Sequence, residues 1–234
     1  QLEDIKAADG ESEDYYKKDD LIATITTDET GVAKLTDIPL GKYYVKEKET
    51  ANGYVLDSTA REIDLTYRDQ DTAEVTYSSD WQNNRQKAEV KVLKKEKDSD
   101  RVLEGAVFAL CNKEDIVNAN GDVILKADTV IEELATDKEG KLTFTADLPI
   151  GYTYYVKETS PAPGFATTDQ VQEFTFEYDG ADKETLSYEF TFEDEPTVVE
   201  ITKTSLTDGK ELEGAKLEVT DEDGKVVDSW TSGK

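Results

Sequence analysis

Three charged residues stand where an alternating strand would point them inward. In Val90-x-Val92-x-Lys94 the lysine continues an apolar stripe, because successive strand side chains face opposite ways. Tyr154-x-Val156-x-Glu158 repeats the pattern with a glutamate, and Tyr188-x-Phe190-x-Phe192-x-Asp194 repeats it with an aspartate. One amine and two carboxyl groups can exchange protons or pair as ions. A lone charge in an apolar interior is very costly, so the three must meet or their strands must end before them. Parity alone leaves two readings open. The residues are strand ends turned to solvent, or they form a buried ion pair, itself a weak source of stability.

Each of these residues has a counterpart. Tyr43 and Val45 share a face with Glu47; Val75, Tyr77 and Trp81 share one with Asn83; Val199 and Ile201 share one with Lys203. The counterparts arise from an internal repeat. Thr27-Asp28-Glu29-Thr30-Gly31, Ile38-Pro39-Leu40-Gly41 and Tyr43-Tyr44-Val45-Lys46-Glu47 return as Thr136-Asp137-Lys138-Glu139-Gly140, Leu148-Pro149-Ile150-Gly151 and Tyr154-Tyr155-Val156-Lys157-Glu158. Leu103-Glu104-Gly105-Ala106 returns as Leu212-Glu213-Gly214-Ala215. The period is close to 110 residues, about one all-β sandwich per repeat. The organisation expected is therefore tandem β-sandwich domains, one complete and two partial. Residues 1–87 form a domain lacking its first strands, 88–195 a complete domain, and 196–234 the opening strands of a third.

Strands are expected at Val90–Leu93, Val107–Leu110, Leu142–Phe144, Tyr152–Val156, Phe174–Tyr178 and Leu186–Phe192, with Gly, Pro and Asn turns between them. A short helical turn fits within 112–135. Only Asn84–Glu89 and Glu195-Pro196-Thr197 separate successive repeats. Such short junctions favour a stiff array.

Composition narrows the function. The 234 residues carry 54 acidic and 27 basic side chains, a formal net charge of -27. Such a surface repels nucleic acid and anionic membranes. With 12 Tyr, 7 Phe and 2 Trp the chain can still build packed sheets. It has no His, which removes histidine acid–base catalysis and His metal sites. Cys111 is the single cysteine, so no intrachain disulfide forms, and it is expected as an isolated, partly buried thiol. No cofactor or metal site is expected. Asp221-Glu222-Asp223-Gly224 lacks the spacing of an EF-hand and reads as a turn, as does Asp98-Ser99-Asp100. Glu132-Glu133 is placed in a loop and is no glycosidase pair; the acidic run Glu11–Asp20 reads as an exposed loop. Neither the polar opening Gln1–Ala8 nor the closing Ser229–Lys234 carries a secretory or anchoring signal, and the chain reads as part of something longer.

The segments Tyr155-Val156-Lys157-Glu158-Thr159-Ser160-Pro161-Ala162-Pro163-Gly164-Phe165 and Lys94 through Leu103-Glu104-Gly105-Ala106 resemble the Cna B-type (SpaA-like, prealbumin-like) domains of Gram-positive surface adhesins and pilins. In the first copy Asn52 replaces the proline of this element. The resemblance implies an intramolecular isopeptide bond between a first-strand lysine and a last-strand Asn or Asp, assisted by the glutamate. For the middle repeat these are Lys94, Asp194 and Glu158. In the first repeat Asn83 matches the acceptor and Glu47 the helper, with the donor ahead of residue 1. In the third, Lys203 matches the donor. The resemblance further implies a stalk or shaft segment of a cell-wall-anchored surface protein outside the cell. Its single-turnover bond formation would not make it an enzyme, and its partners would be the neighbouring repeats of the parent chain. The alternative is a ligand-binding adhesin region that grips a host protein or glycan through its loops.

Overall fold

A computed structural model of the chain describes residues 4, 5 and 16–233. The run Glu11–Asp20 lies outside these up to Tyr15; of Gln1–Ala8 only Asp4 and Ile5 fall within them, and Lys234 lies outside. Every regular element among the described residues is a strand.

The middle repeat is a two-sheet sandwich. Its strands are β3 (Lys87–Glu96), β4 (Val107–Asn112), β5 (Ile116–Val117), β6 (Val123–Leu125), β7 (Val130–Ala135), β8 (Lys141–Phe144), β9 (Tyr152–Ser160), β10 (Val171–Phe176) and β11 (Thr185–Asp194). One sheet has the order β11-β3-β8, the other β10-β9-β4-β7, and β5-β6 is a small separate hairpin. β3 shows the strict alternation expected, with Ala88, Val90, Val92 and Lys94 all buried. The inner faces supply Phe108, Leu110, Phe144, Tyr154, Phe176 and Phe192 to one core. Burying each contributes about 1.5–3 kcal/mol.

The first and last strands of this repeat, β3 and β11, lie side by side and run parallel through ten residue pairs, Thr185↔Lys87 to Asp194↔Glu96. Parallel neighbours need a crossover connection, and here the remainder of the repeat serves as that crossover.

Residues 112–135 contain strands where a helical turn was expected. The buried Asn112 side chain donates to the carbonyls of Glu114 (2.8 Å) and Lys126 (2.6 Å) and accepts from Thr129 N (3.1 Å). It thereby satisfies backbone groups that a helical turn would have paired internally. Glu132 and Glu133, placed in a loop by their sequence, sit on β7.

The flanking repeats are simpler. In the first, β1 (Lys42–Val45) pairs with β2 (Arg61–Asp64) over a small cluster of Ile5, Tyr43 and Leu65. In the third, β12 (Lys216–Thr220) pairs with β13 (Val226–Thr231). Residues 73–83 and 198–203 adopt no ladder, although alternation marks both as strands. Tyr77, Val199 and Ile201 are exposed there. A strand needs a neighbour. Among the described residues no strand pairs with either segment.

Candidate functional site

Lys94, Glu158 and Asp194 meet between the two sheets of the middle repeat. All three side chains are completely shielded from solvent. Strand-end exposure, one of the two readings that parity left open, is ruled out.

The geometry follows from the pairing. Lys94 lies opposite Phe192 on the adjacent parallel strand, and Asp194 lies opposite Glu96. Lys94 and Asp194 are thus diagonal neighbours on one face, two residues out of register. A long lysine stem crosses that diagonal while a short aspartate stays near its own backbone. The Lys94 Nζ contacts Asp194 Oδ1 directly. Glu158 comes from the opposite sheet, where it pairs with Phe108 beside a β-bulge, and its Oε1 lies 2.9 Å from Nζ. Its Oε2 accepts from Thr168 N at 3.1 Å. Phe108 and Phe192, 4.8 Å apart between centroids, wall the cluster, with Nζ 5.6 Å from the Phe108 centroid.

One cation faces two carboxyl groups in a dry interior. Glu158 Oε1 and Asp194 Oδ2 make no well-directed hydrogen bond. Burial pushes the Glu158 carboxyl above its ordinary range. The contacts with Lys94 and the Thr168 N–H pull it back only in part, and the charge of Asp194 adds to the rise. A glutamate whose carboxyl is pushed up beside an amine and a second carboxyl is placed for proton transfer.

Backbone contacts outside the three residues fix the cluster. Lys94 N donates to Gly140 O (2.7 Å), and Leu103 N donates to Lys94 O (3.1 Å). Gly140 has φ +69°, and a Cβ there would lie 2.7 Å from Lys94 O and 2.8 Å from Val102 Cβ. Only glycine lets these backbones approach so closely. Thr136 is buried; its hydroxyl donates to Leu103 O (2.7 Å) and accepts from Ala106 N (3.1 Å), which ties the Leu103–Ala106 block in place. Both residues lie in the repeated Thr-Asp-x-x-Gly element. Their recurrence was visible in the sequence; their positioning role was not.

The first repeat reproduces part of this arrangement. Asn83 Nδ2 donates to Glu47 Oε2 (2.6 Å) and to Val55 O (2.9 Å). Asp57 N donates to Glu47 Oε2 (3.0 Å), as Thr168 N does to Glu158. Tyr43 donates its hydroxyl to Pro39 O, as Tyr154 does to Pro149 O (2.7 Å). Glu47 and Asn83 are therefore together. Lys203 of the third repeat is exposed and lies outside any such cluster.

The remaining candidates are structural. Cys111 is fully buried, more so than its sequence suggested, and burial pushes its thiol up. Glu132 accepts from Thr145 N and Ala146 N (both 2.9 Å), and Glu133 accepts from the Thr159 hydroxyl (2.9 Å). Asp221 accepts from Asp223 N (3.1 Å) and Lys225 N (2.8 Å), closing the β12–β13 turn. Among the described residues no group of three or more acidic or Cys side chains is placed to hold a metal ion.

Comparison with known proteins agrees with this architecture. A family model described as the SpaA prealbumin-like fold domain matches residues 5–81 and 88–191. Among solved structures, the Bacillus anthracis TIE protein aligns with 27% identity and a TM-score of 0.54, over 90% of this chain and 36% of that one. A streptococcal ancillary pilin aligns with 23% identity and a TM-score of 0.36, over 90% of this chain and 65% of that one. The shaft pilin SpaA of Lactobacillus rhamnosus GG aligns with 17% identity and a TM-score of 0.35, covering 76% and 71%. No curated protein sequence matches. The chain spans about a third of the length of the Bacillus anthracis protein.

Proposed function

Because the chain belongs to the SpaA family of prealbumin-like fold domains, we propose that it is a load-bearing segment of a pilin-like or adhesin stalk, outside the cell of a Gram-positive bacterium. Its middle repeat is tied by an isopeptide bond between Lys94 and Asp194. We take the chain to be divided as its repeats suggest, into 1–87, 88–195 and 196–234; the separate family matches 5–81 and 88–191 support the first boundary.

The observation that carries this reading is the contact of one amine and two carboxyl groups in a fully shielded pocket. In the bond-forming step the Lys94 nitrogen attacks Cγ of Asp194. The new C–N bond replaces a C–O bond. Nitrogen gives up two protons, which leave with one Asp194 oxygen as water. Glu158 takes a proton from nitrogen and returns it to the departing oxygen, ending as it began. The fold holds the reactants in contact, so proximity replaces an external catalyst. The event occurs once per chain.

The bond would join the strand by which tension enters the repeat to the strand by which it leaves. Tension would run along β3 to Lys94, cross to Asp194 and exit at Glu195. In the first repeat, the Glu47–Asn83 pair would take an equivalent lysine with loss of ammonia.

Intact-mass analysis tests the tie. The purified chain is expected to weigh one water less than its sequence, and Lys94→Ala is expected at full mass. A wild-type chain at full mass would remove the bond and leave an ion cluster.

A further inference from the structure

The junction between the first and middle repeats is not a free linker. β3 begins at Lys87, so only Asn84–Gln86 separate the acceptor residue of one repeat from the opening strand of the next. These three residues are paired on both sides. Toward the first repeat, Val55 N donates to Asn84 O (2.8 Å), Gln86 N donates to Gly53 O (2.9 Å), and Tyr54 and Arg85 form an antiparallel bridge. Toward the middle repeat, the Gln86 side chain reaches the turn between β10 and β11. Its Nε2 donates to Gly180 O (3.1 Å) and Lys183 O (2.8 Å), and its Oε1 accepts from Asp179 N (3.0 Å). Gln86 is 2% exposed. A buried amide with both donors and its acceptor engaged has one orientation.

The two repeats also touch directly. Leu56 N donates to Ala181 O (2.8 Å), and the Tyr178 hydroxyl donates to Tyr54 O (3.4 Å). The loop Gly53–Asp57 of the first repeat is therefore seated on the 178–184 turn of the middle repeat, with Gln86 between them.

We propose that Gln86 and the 178–184 turn form a docking socket for the exit loop of the preceding repeat, locking the two repeats into one rigid body with Gln86 as the latch.

The second junction separates the parts of this device. Phe165 bridges Pro196, Ala166 N donates to Glu195 O (3.0 Å), and Thr197 N donates to Gly164 O (2.9 Å). These are the contacts of Tyr54, Val55 and Gln86, each 111 residues on. The backbone half of the joint is thus common to both junctions. Thr197 stands where Gln86 stands, but its hydroxyl turns back onto the same Gly164 carbonyl (3.0 Å). The forward-reaching amide belongs to Gln86.

The docked loop also supplies the partners of the first repeat's acceptor pair: Val55 O receives the Asn83 amide, and Asp57 N holds Glu47. Seating that loop on the middle repeat fixes the geometry of Asn83 from outside its own repeat. None of this depends on an isopeptide bond forming, so the lock stands or falls separately from the proposed function.

The test is 15N relaxation on the 234-residue chain and on Gln86→Thr, which installs the residue found at the second junction and keeps the backbone half of the joint. In the wild type, amides of β1–β2 and of β3–β11 are expected to share one rotational correlation time. In Gln86→Thr the two sets are expected to separate, both becoming shorter. Separate correlation times in the wild type would overturn the proposal, as would a single shared one in the variant. If Gln86→Thr loses the β3–β11 signals, hydrogen exchange of the wild-type Leu56 amide decides. Protection matching that of β1 supports docking onto Ala181, and exchange at the free-peptide rate overturns it.

Discussion

Stretching the chain from its ends, with and without Lys94→Ala, examines the load path most directly. Lys94 and Asp194 are separated by 100 positions in the sequence. A chain spans at most about 3.3–3.6 Å per residue, so the segment between them stores about 340 Å of contour. With the bond in place that length lies off the load path, and no rupture of the middle repeat can release it. Forced unfolding is set by an unfolding rate, and the tie closes that route. Without the bond, tension shears the parallel β3–β11 ladder and then unravels everything between. Single-molecule force spectroscopy is expected to show a step approaching 340 Å in Lys94→Ala that the wild type lacks. Step length is a better readout than rupture force. Truncating Lys94 also leaves Glu158 and Asp194 without their cation, which weakens the repeat for a separate reason, whereas contour length depends only on the tie. The same closed loop should stabilise the wild type by about 4.7 kcal/mol through the entropy of the unfolded chain. A wild type that releases the step at the same frequency as the variant would refute the reasoning.

Three further outcomes are expected. Asp194→Asn should still form the bond, now expelling ammonia, and mass spectrometry should find a product identical in mass to the crosslinked wild type. Gly140→Ala forces a Cβ against Lys94 O at a φ of +69°; it should cost about 1–3 kcal/mol in denaturant unfolding and slow crosslinking. In Lys94→Ala, Glu158 keeps the burial that raises its pKa and loses the cation that opposes the rise. The folded state then binds more protons than the unfolded one. Stability should be fullest below about pH 4.3, where a free glutamate protonates, and should fall as pH rises through the higher folded value, read from urea midpoints across that range.

The site was legible to the extent that it depends on parity. A strand has a period of two, so Lys94, Glu158 and Asp194 each declared an inward face from a few neighbours. The aromatic walls, the 109–111-residue repeat and the Gly-centred turns are equally local. What parity could not decide was whether the three inward faces converge, and that turned on pairing between segments far apart in the chain. The parallel register of β3 with β11 sets Asp194 two residues beyond Lys94, and the opposing sheet delivers Glu158.

Other features were hidden for the same reason. Gly140 recurs as a turn residue, yet its necessity comes from a backbone approach to Lys94 that only the packed sheets create. Gln86 reads as an ordinary linker residue, and its fully engaged amide depends on a turn about 95 residues away. Residues 73–83 and 198–203 show the reverse case. Their alternation specifies strands, but a strand forms only against a neighbour, and none reaches them in the described structure. Alternation is a property of each segment's own backbone; convergence and pairing are properties of several segments at once, and only tertiary structure settles them.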